Sequence, residues 1–369
     1  MFGSFSSGIP KDVLNSPFIK VYKGELPDEF KRTLQTLGSK STSWNDWSAK
    51  TTTASPKIII GNWEYTFIRN GELKAKFVND ESIQRFVLNY DTKPYDVIDK
   101  FMLTSYESLF ADCNHLKSIR LENINNKYIS RIAGMCYRCL ELECFDFNDF
   151  IFDHVSSLAN FFNDCPNLVS VDFGINNNWL NITDLDKMFY KCSSLKNIDM
   201  SHIKLFNQFN AKYMFGECYS LITANVRFKL NNYNHSQMYS DIFEGMFSNC
   251  DSLKHLSLPW LYYYGLYCGK LKPKKETSLY SSNKISGFDL IIACPRLETL
   301  DFGETLPGIF SSSLKNGNIK HVKTFYVNSE RVDNENPQKI ELGINRAEKS
   351  HGVVAVKKSA RRVHRGWED

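Results

Sequence analysis

Apolar residues recur along the middle of the chain at a fixed spacing, and cysteine marks the beat. Cys113, Cys139, Cys165, Cys192, Cys218, Cys250 and Cys294 follow one another at intervals of 26, 26, 27, 26, 32 and 44 residues. Three residues after each stands a leucine, from Leu116 in the first copy to Leu297 in the last. Six and eight residues after it come apolar pairs, beginning with Ile119 and Leu121 and ending with Leu300 and Phe302. A period of this length is the signature of a solenoid, in which each copy is one coil that buries its apolar side only by stacking on its neighbours.

The pattern inside one copy predicts two elements. Ahead of the cysteine, Leu185, Met188, Phe189 and Cys192 stand at i, i+3, i+4 and i+7, and the other copies repeat that spacing, which predicts a short helix ending on the cysteine. Behind it, the alternation of apolar and polar positions predicts a short strand. The fold class this implies is an α/β solenoid of about seven to eight coils, with parallel strands on one face and helices on the other. Ile319, Val322, Phe325 and Val327 keep the register without a cysteine, 25 residues past Cys294, and predict a degenerate last coil.

Met-Phe-x-x-Cys-x-x-Leu-x-x-Leu-x-Leu, seen in Met188–Met200 and Met246–Leu258, resembles the BspA-type leucine-rich repeat, also met as the mycoplasma-type surface-protein repeat. The resemblance covers roughly residues 106–302 and implies a leucine-rich repeat stack. It also implies a non-catalytic adhesin, surface protein or binding scaffold. Many such proteins are exported. Here the first residues have neither a basic nor an apolar signal region, so no secretory signal is expected.

Around the repeats, residues 1–56 read as a polar N-terminal arm carrying Trp44 and Trp47, which either pack on the cap or anchor to a neighbouring subunit. Residues 57–105 read as a cap: a β-hairpin over Lys57–Phe77 turning at Asn70-Gly71, then a helical or mixed stretch over 80–103. The solenoid spans 106–328, with insertions at 229–239 and 260–284, and 329–369 form a C-terminal extension. The second insertion holds Trp260, Tyr262, Tyr263, Tyr264 and Tyr267. Tyrosine-rich insertions make good contact surfaces, though such a loop can also fold back on its own solenoid.

Composition changes this picture little. With 42% hydrophobic residues the chain has material for a continuous core. The formal charge of +4 equals the basic excess of the tail from Arg346 to Asp369, where Lys357, Lys358, Arg361, Arg362 and Arg365 cluster. That tail suits docking on an acidic protein surface better than nucleic acid, for which the cluster is small. No apolar run is long enough to cross a bilayer. The cysteine column reads as reduced thiols used as small core residues, and Cys144, five past Cys139, reads as an exposed thiol.

Candidate chemistry lies on the outward side of the strands. Seven past each cysteine the residues are Arg120, Asp146, Asp172, Asp199, Asn225, Ser257 and Asp301. The aspartates either favour a cationic partner or metal, or are a solvated face whose carboxylates satisfy neighbouring turns; a flat ladder does not obviously supply the 6–8 oxygens of a calcium site. No phosphate loop, zincin or nucleophile-elbow motif occurs, so neither an enzyme nor a cofactor is expected. The sequence thus points to a structural or adhesion protein working through protein–protein contacts. A phage virion component, in the tail or beside the capsid, is the leading form, with other subunits or a host surface ligand as partners. A bacterial or protist cell-surface adhesin and an intracellular scaffold are the alternatives.

Overall fold

The computed structural model describes residues 9, 11–28, 30–32, 57–67, 72–98, 101–124, 126–176, 178–206, 209–226, 229–231, 244–257, 294–301 and 324–326. One helical turn, α1 (Lys11–Leu14), and a short strand β1 (Val21–Tyr22) belong to the N-terminal arm. Strands β2 (Lys57–Ile60), β3 (Trp63–Phe67), β4 (Glu72–Phe77), β5 (Arg85–Leu88), β6 (Val97–Ile98) and β7 (Phe101–Ser105) follow. All but β5 form a six-stranded sheet of order β1-β6-β7-β4-β3-β2.

The expected hairpin pairing of Trp63–Phe67 with Glu72–Phe77 is present as antiparallel β3 and β4, while its Asn70-Gly71 turn lies outside the described residues. A further hairpin precedes it. Ile60 pairs with Trp63 across Gly61-Asn62, and Gly61 takes the positive φ of 60° that a two-residue turn requires.

The repeats themselves are all strand and turn. Strands β8 (Ser118–Leu121), β9 (Cys144–Asp146), β10 (Ser170–Asp172), β12 (Asn197–Asp199), β14 (Thr223–Asn225), β16 (His255–Ser257) and β17 (Thr299–Asp301) are the strands expected after each cysteine, β18 (Thr324–Tyr326) is that of the coil without one, and neighbours pair in parallel except β10 and β12. In β18, Phe325 lies opposite Leu300, the register expected of the degenerate last coil. A second strip on another side of the coils is made by β11 (Asn178–Trp179), β13 (Lys204–Phe206) and β15 (Lys229–Asn231).

The predicted helices are absent, and this overturns the α/β class: the stack is a β-solenoid. No described residue of the repeats is helical. The residues five and one before the cysteine adopt left-handed backbone, with φ between 51° and 63°: Ser108 and Asp112, Gly134 and Arg138, Asn160 and Asp164, Lys187 and Lys191, Tyr213 and Glu217, Gly245 and Asn249. Hydrogen bonds then alternate. In the coil of Cys113, Leu109, Ala111 and Cys113 donate locally to Tyr106, Ser108 and Phe110, while Tyr106, Ser108, Phe110 and Asp112 donate across to Arg131, Ala133, Met135 and Tyr137.

A helix would satisfy these groups within itself and leave the coils joined by side chains alone. Consecutive turns keep the same apolar residues inward while offering every second N–H to the next coil. A left-handed non-glycine residue costs about 1–2 kcal/mol. Against two of these stand four cross-coil hydrogen bonds, each worth about 0.5–1.5 kcal/mol, and burial of side chains such as Leu109 and Phe110 at about 1.5–3 kcal/mol each.

Inside, Phe162, Phe189, Phe215 and Phe247 form a stacked ladder with centroids 5.4, 5.3 and 5.2 Å apart. Beside it runs the cysteine column, buried and free of disulfides among the described residues. From Cys139 on, each thiol of the column donates to the backbone of the preceding coil: Cys139 to Phe110 O at 3.0 Å, Cys165 to Cys136 O at 3.0 Å, Cys192 to Phe162 O at 3.2 Å, and onward to Cys294 on Phe247 O at 2.9 Å. Burial pushes the thiols of Cys165, Cys192 and Cys218 up, which keeps them protonated donors.

One coil was hidden in the stretch expected to be helical or mixed. Phe77, Asp80, Ile83, Phe86 and Leu88 repeat the register with aspartate where the cysteine belongs. Phe77 N donates to Leu109 O as Phe110 N does to Met135 O, and β5 pairs with β8 with Phe86 opposite Ile119. Instead of entering the column, Asp80 accepts from the N–H groups of Asn114 and His115 in the next turn.

Candidate functional site

Outward positions of the strands build a wall of polar side chains stepped about 4.8 Å apart. Asp146, Asp172 and Asp199 stand together on it, as the sequence placed them. Each accepts from the N–H two residues on: Asn148 at 2.8 Å, Gly174 at 2.8 Å and Ser201 at 2.9 Å. These carboxylates therefore fix the exit of the chain from the strand, the short local bond that suits aspartate to turns. Arg120, one coil earlier, lies 3.4 Å from Asp146 and 3.7 Å from Glu122. Burial would push the Asp199 carboxyl up, but hydrogen bonds from Ser201 and Asn225 and the nearby His202 hold it below its ordinary value.

The wall is interrupted. Strands β5, β8, β9 and β10 form one four-stranded sheet and β12, β14, β16, β17 and β18 a separate five-stranded one. Elsewhere the residue four past the cysteine bonds to its counterpart, as Val169 N does to Glu143 O and Ile222 N to Lys196 O, but no such bond joins Lys196 to Val169. The inward pairs that flank the break are Val171 with Phe173 on one side and Ile198 with Met200 on the other.

An open concavity of about 590 Å³ lies over the break. Phe145, Val171 and Phe173 line its floor, and Arg120, Asp146, Asp172, Asp199 and His202 its rim. Val169 and Ile175 stand close by in sequence, 51% and 79% exposed. Cys144 lines the concavity and is exposed, as its register indicated. Burial and the adjacent Glu143 push its thiol up. Sequence reasoning identified the aspartates but missed the break, whose one sequence trace is the 27-residue interval between Cys165 and Cys192.

Asp301 lies on β17 opposite Ser257, on the same wall, with only its backbone described. Trp44, Trp47, Trp260, Tyr262, Tyr263, Tyr264, Tyr267, Lys357, Lys358, Arg361, Arg362 and Arg365 lie outside the described residues. Among the described residues no group of three or more His, Cys, Asp or Glu side chains is placed to hold a metal ion. Nor is any described helix long and apolar enough to cross a membrane.

The model of a family described as "Mycoplasma protein of unknown function, DUF285" matches residues 104–228 and 134–260. Both stretches fall on the repeats. No curated protein matches. Among solved structures, the chain is similar to a leucine-rich cell surface protein from Faecalibacterium prausnitzii A2-165, at 13% identity over 75% of this chain and 90% of that one, with a TM-score of 0.27. The family match falls on the repeats, and the BspA-type assignment stays a resemblance.

Proposed function

We propose that this protein is a non-catalytic adhesion scaffold at a cell surface, binding another protein through the concavity over the break in the strand wall. The observation that carries the reading is this break. Here, among the described residues, an apolar floor meets a charged rim, with exposed Val169 and Ile175 near by in sequence. Apolar centres with polar rims are the anatomy of protein–protein interfaces. The rim carries three carboxylates against Arg120, so the partner surface is basic at its edge. The repeat match to a family described from mycoplasmas favours a cell-borne protein over the phage virion component considered from sequence.

Protease shaving of intact producing cells, followed by mass spectrometry, tests the location: peptides from residues 113–257 are expected in the shaved fraction. Their absence while cytosolic markers stay intact removes the surface reading. Beads coated with the full chain should adhere to the target surface, and Ile175→Arg together with Asp172→Arg should abolish adhesion while the chain keeps the circular-dichroism spectrum of its folded state. Unchanged adhesion by that pair removes the concavity from the mechanism.

A further inference from the structure

The turn side of the solenoid carries a feature that the strand wall lacks. The four coils from Cys139 to Cys218 present Tyr137, Tyr190 and Tyr213 around a groove of about 330 Å³, with Asn163, Lys187 and Lys191. That size lies at the lower end of small-molecule clefts, which run about 300–1,000 Å³.

The rings are held before any ligand arrives. Tyr190 rests on the bare backbone of the next coil at Gly216, where an added Cβ would come within 2.9 Å of the ring. Tyr213 rests likewise on Gly245, where a Cβ would collide with it. Their hydroxyls donate to carboxylates, Tyr190 to Glu217 and Tyr213 to Glu244, the latter at 3.2 Å. The two rings meet edge to face, at 76° with centroids 6.3 Å apart. Aromatic surface fixed at both ends loses little freedom on binding.

The charges around the groove cancel. Lys187 lies 3.9 Å from Asp186, Asp164 lies 4.0 Å from Arg138, and Lys191, over the Tyr190 ring at 5.5 Å, is balanced by the Glu217 carboxylate on that ring's hydroxyl. Such a rim selects neither a polyanion nor a polycation. It offers aromatic faces bordered by an amide, ammonium groups and a carboxylate. A pyranose matches this: its C–H face packs on an electron-rich ring, and its hydroxyls both donate to carboxylate and amide oxygens and accept from ammonium and amide nitrogens.

We propose that this groove is a second binding site, on a different side of the coil from the strand-wall concavity, and that it takes an uncharged glycan across the rings of Tyr137, Tyr190 and Tyr213. The full chain is titrated calorimetrically with cellohexaose, chitohexaose and maltohexaose. At least one is expected to saturate below about 1 mM. Tyr190→Ala should weaken that binding about tenfold, whereas Tyr190→Phe, which keeps the ring, should hold it within about threefold. Tyr137→Ala, at an exposed ring, provides a second variant should Tyr190→Ala melt early, with the same loss expected. Asp172→Arg on the strand wall should leave sugar binding unchanged, which separates this site from the adhesion reading. The proposal is overturned if none of the three sugars saturates by about 10 mM, if both alanine variants bind as the parent does, or if polyglutamate or heparin competes the sugar away.

Discussion

The turn side and the strand side of the same coils are held together differently. On the turn side the cross-coil hydrogen bonds run without interruption from Phe77 in the hidden first coil to Glu217, which donates to Ser248. On the strand side the ladder stops between β10 and β12. Continuity thus rests with the turns and the internal Phe and Cys columns, and the strands are free to part. A β-solenoid is usually pictured as a stack of sheets joined by loops; here the loops carry the join.

The sharpest way to break this comparison is to cut one core residue from each side. Phe189→Ala removes a ring stacked on both neighbours and should cost about 3–5 kcal/mol. Val171→Ala, at the break, should cost about 1–2 kcal/mol. Urea midpoints with unchanged slope measure both, and equal losses would show that the strand side carries the stack as much as the turns do. Next in size, Gly245→Ala places a methyl group at φ 60° and against Tyr213, with an expected loss of about 2–3 kcal/mol. A neutral result there would mean that the left-handed turn positions are not what holds the coils together.

Two smaller tests sharpen the strand side. The Asp199 carboxyl is held below its ordinary value in the folded chain, so the folded state binds its proton less readily than the unfolded state does. Its contribution is therefore present above the unfolded value, near pH 4, and fades as pH falls through the folded one. Asp199→Asn should be less stable than the parent at pH 6 and converge with it near pH 2. A gap that stays constant down to that pH would show that Asp199 is not the group responsible. Smallest of all, Arg120→Ala removes an exposed pair with Asp146 and should change stability by about 0–1 kcal/mol, with any effect lost in high salt.

Most of the strand side was legible because its period-two alternation has one reading, down to Phe325 in a coil without cysteine. The turn side was misread because positions seven, four, three and zero before the cysteine lie on one face of a helix and equally on the inner side of consecutive turns. The discriminating signal was polar: Asn160, Gly134, Gly245, Asp112, Asp164 and Asn249 are residue types that accept positive φ, repeated at two fixed positions per coil. Asp80 hid the first coil by standing where a cysteine was expected. The Asp146–Asp199 stripe was visible from its spacing, but the break beside it is a gap in the hydrogen bonding between two coils, which no single repeat displays.

The thiol column has a consequence for how such a chain can change length. From Cys139 on, each cysteine of the column bonds backward, to a carbonyl of the coil before it, so each coil inside the stack both supplies an acceptor and requires one. A duplicated 26-residue unit arrives with its own thiol and its own carbonyl and closes both gaps it opens. An insertion of one or two residues within the eight that precede a cysteine shifts both left-handed positions and leaves a donor on each side without its mate. Lineages of this protein should therefore vary by whole coils, or by excursions such as those after Asn231 and Ser257 that leave and rejoin in register, and scarcely at all by single residues within the turns.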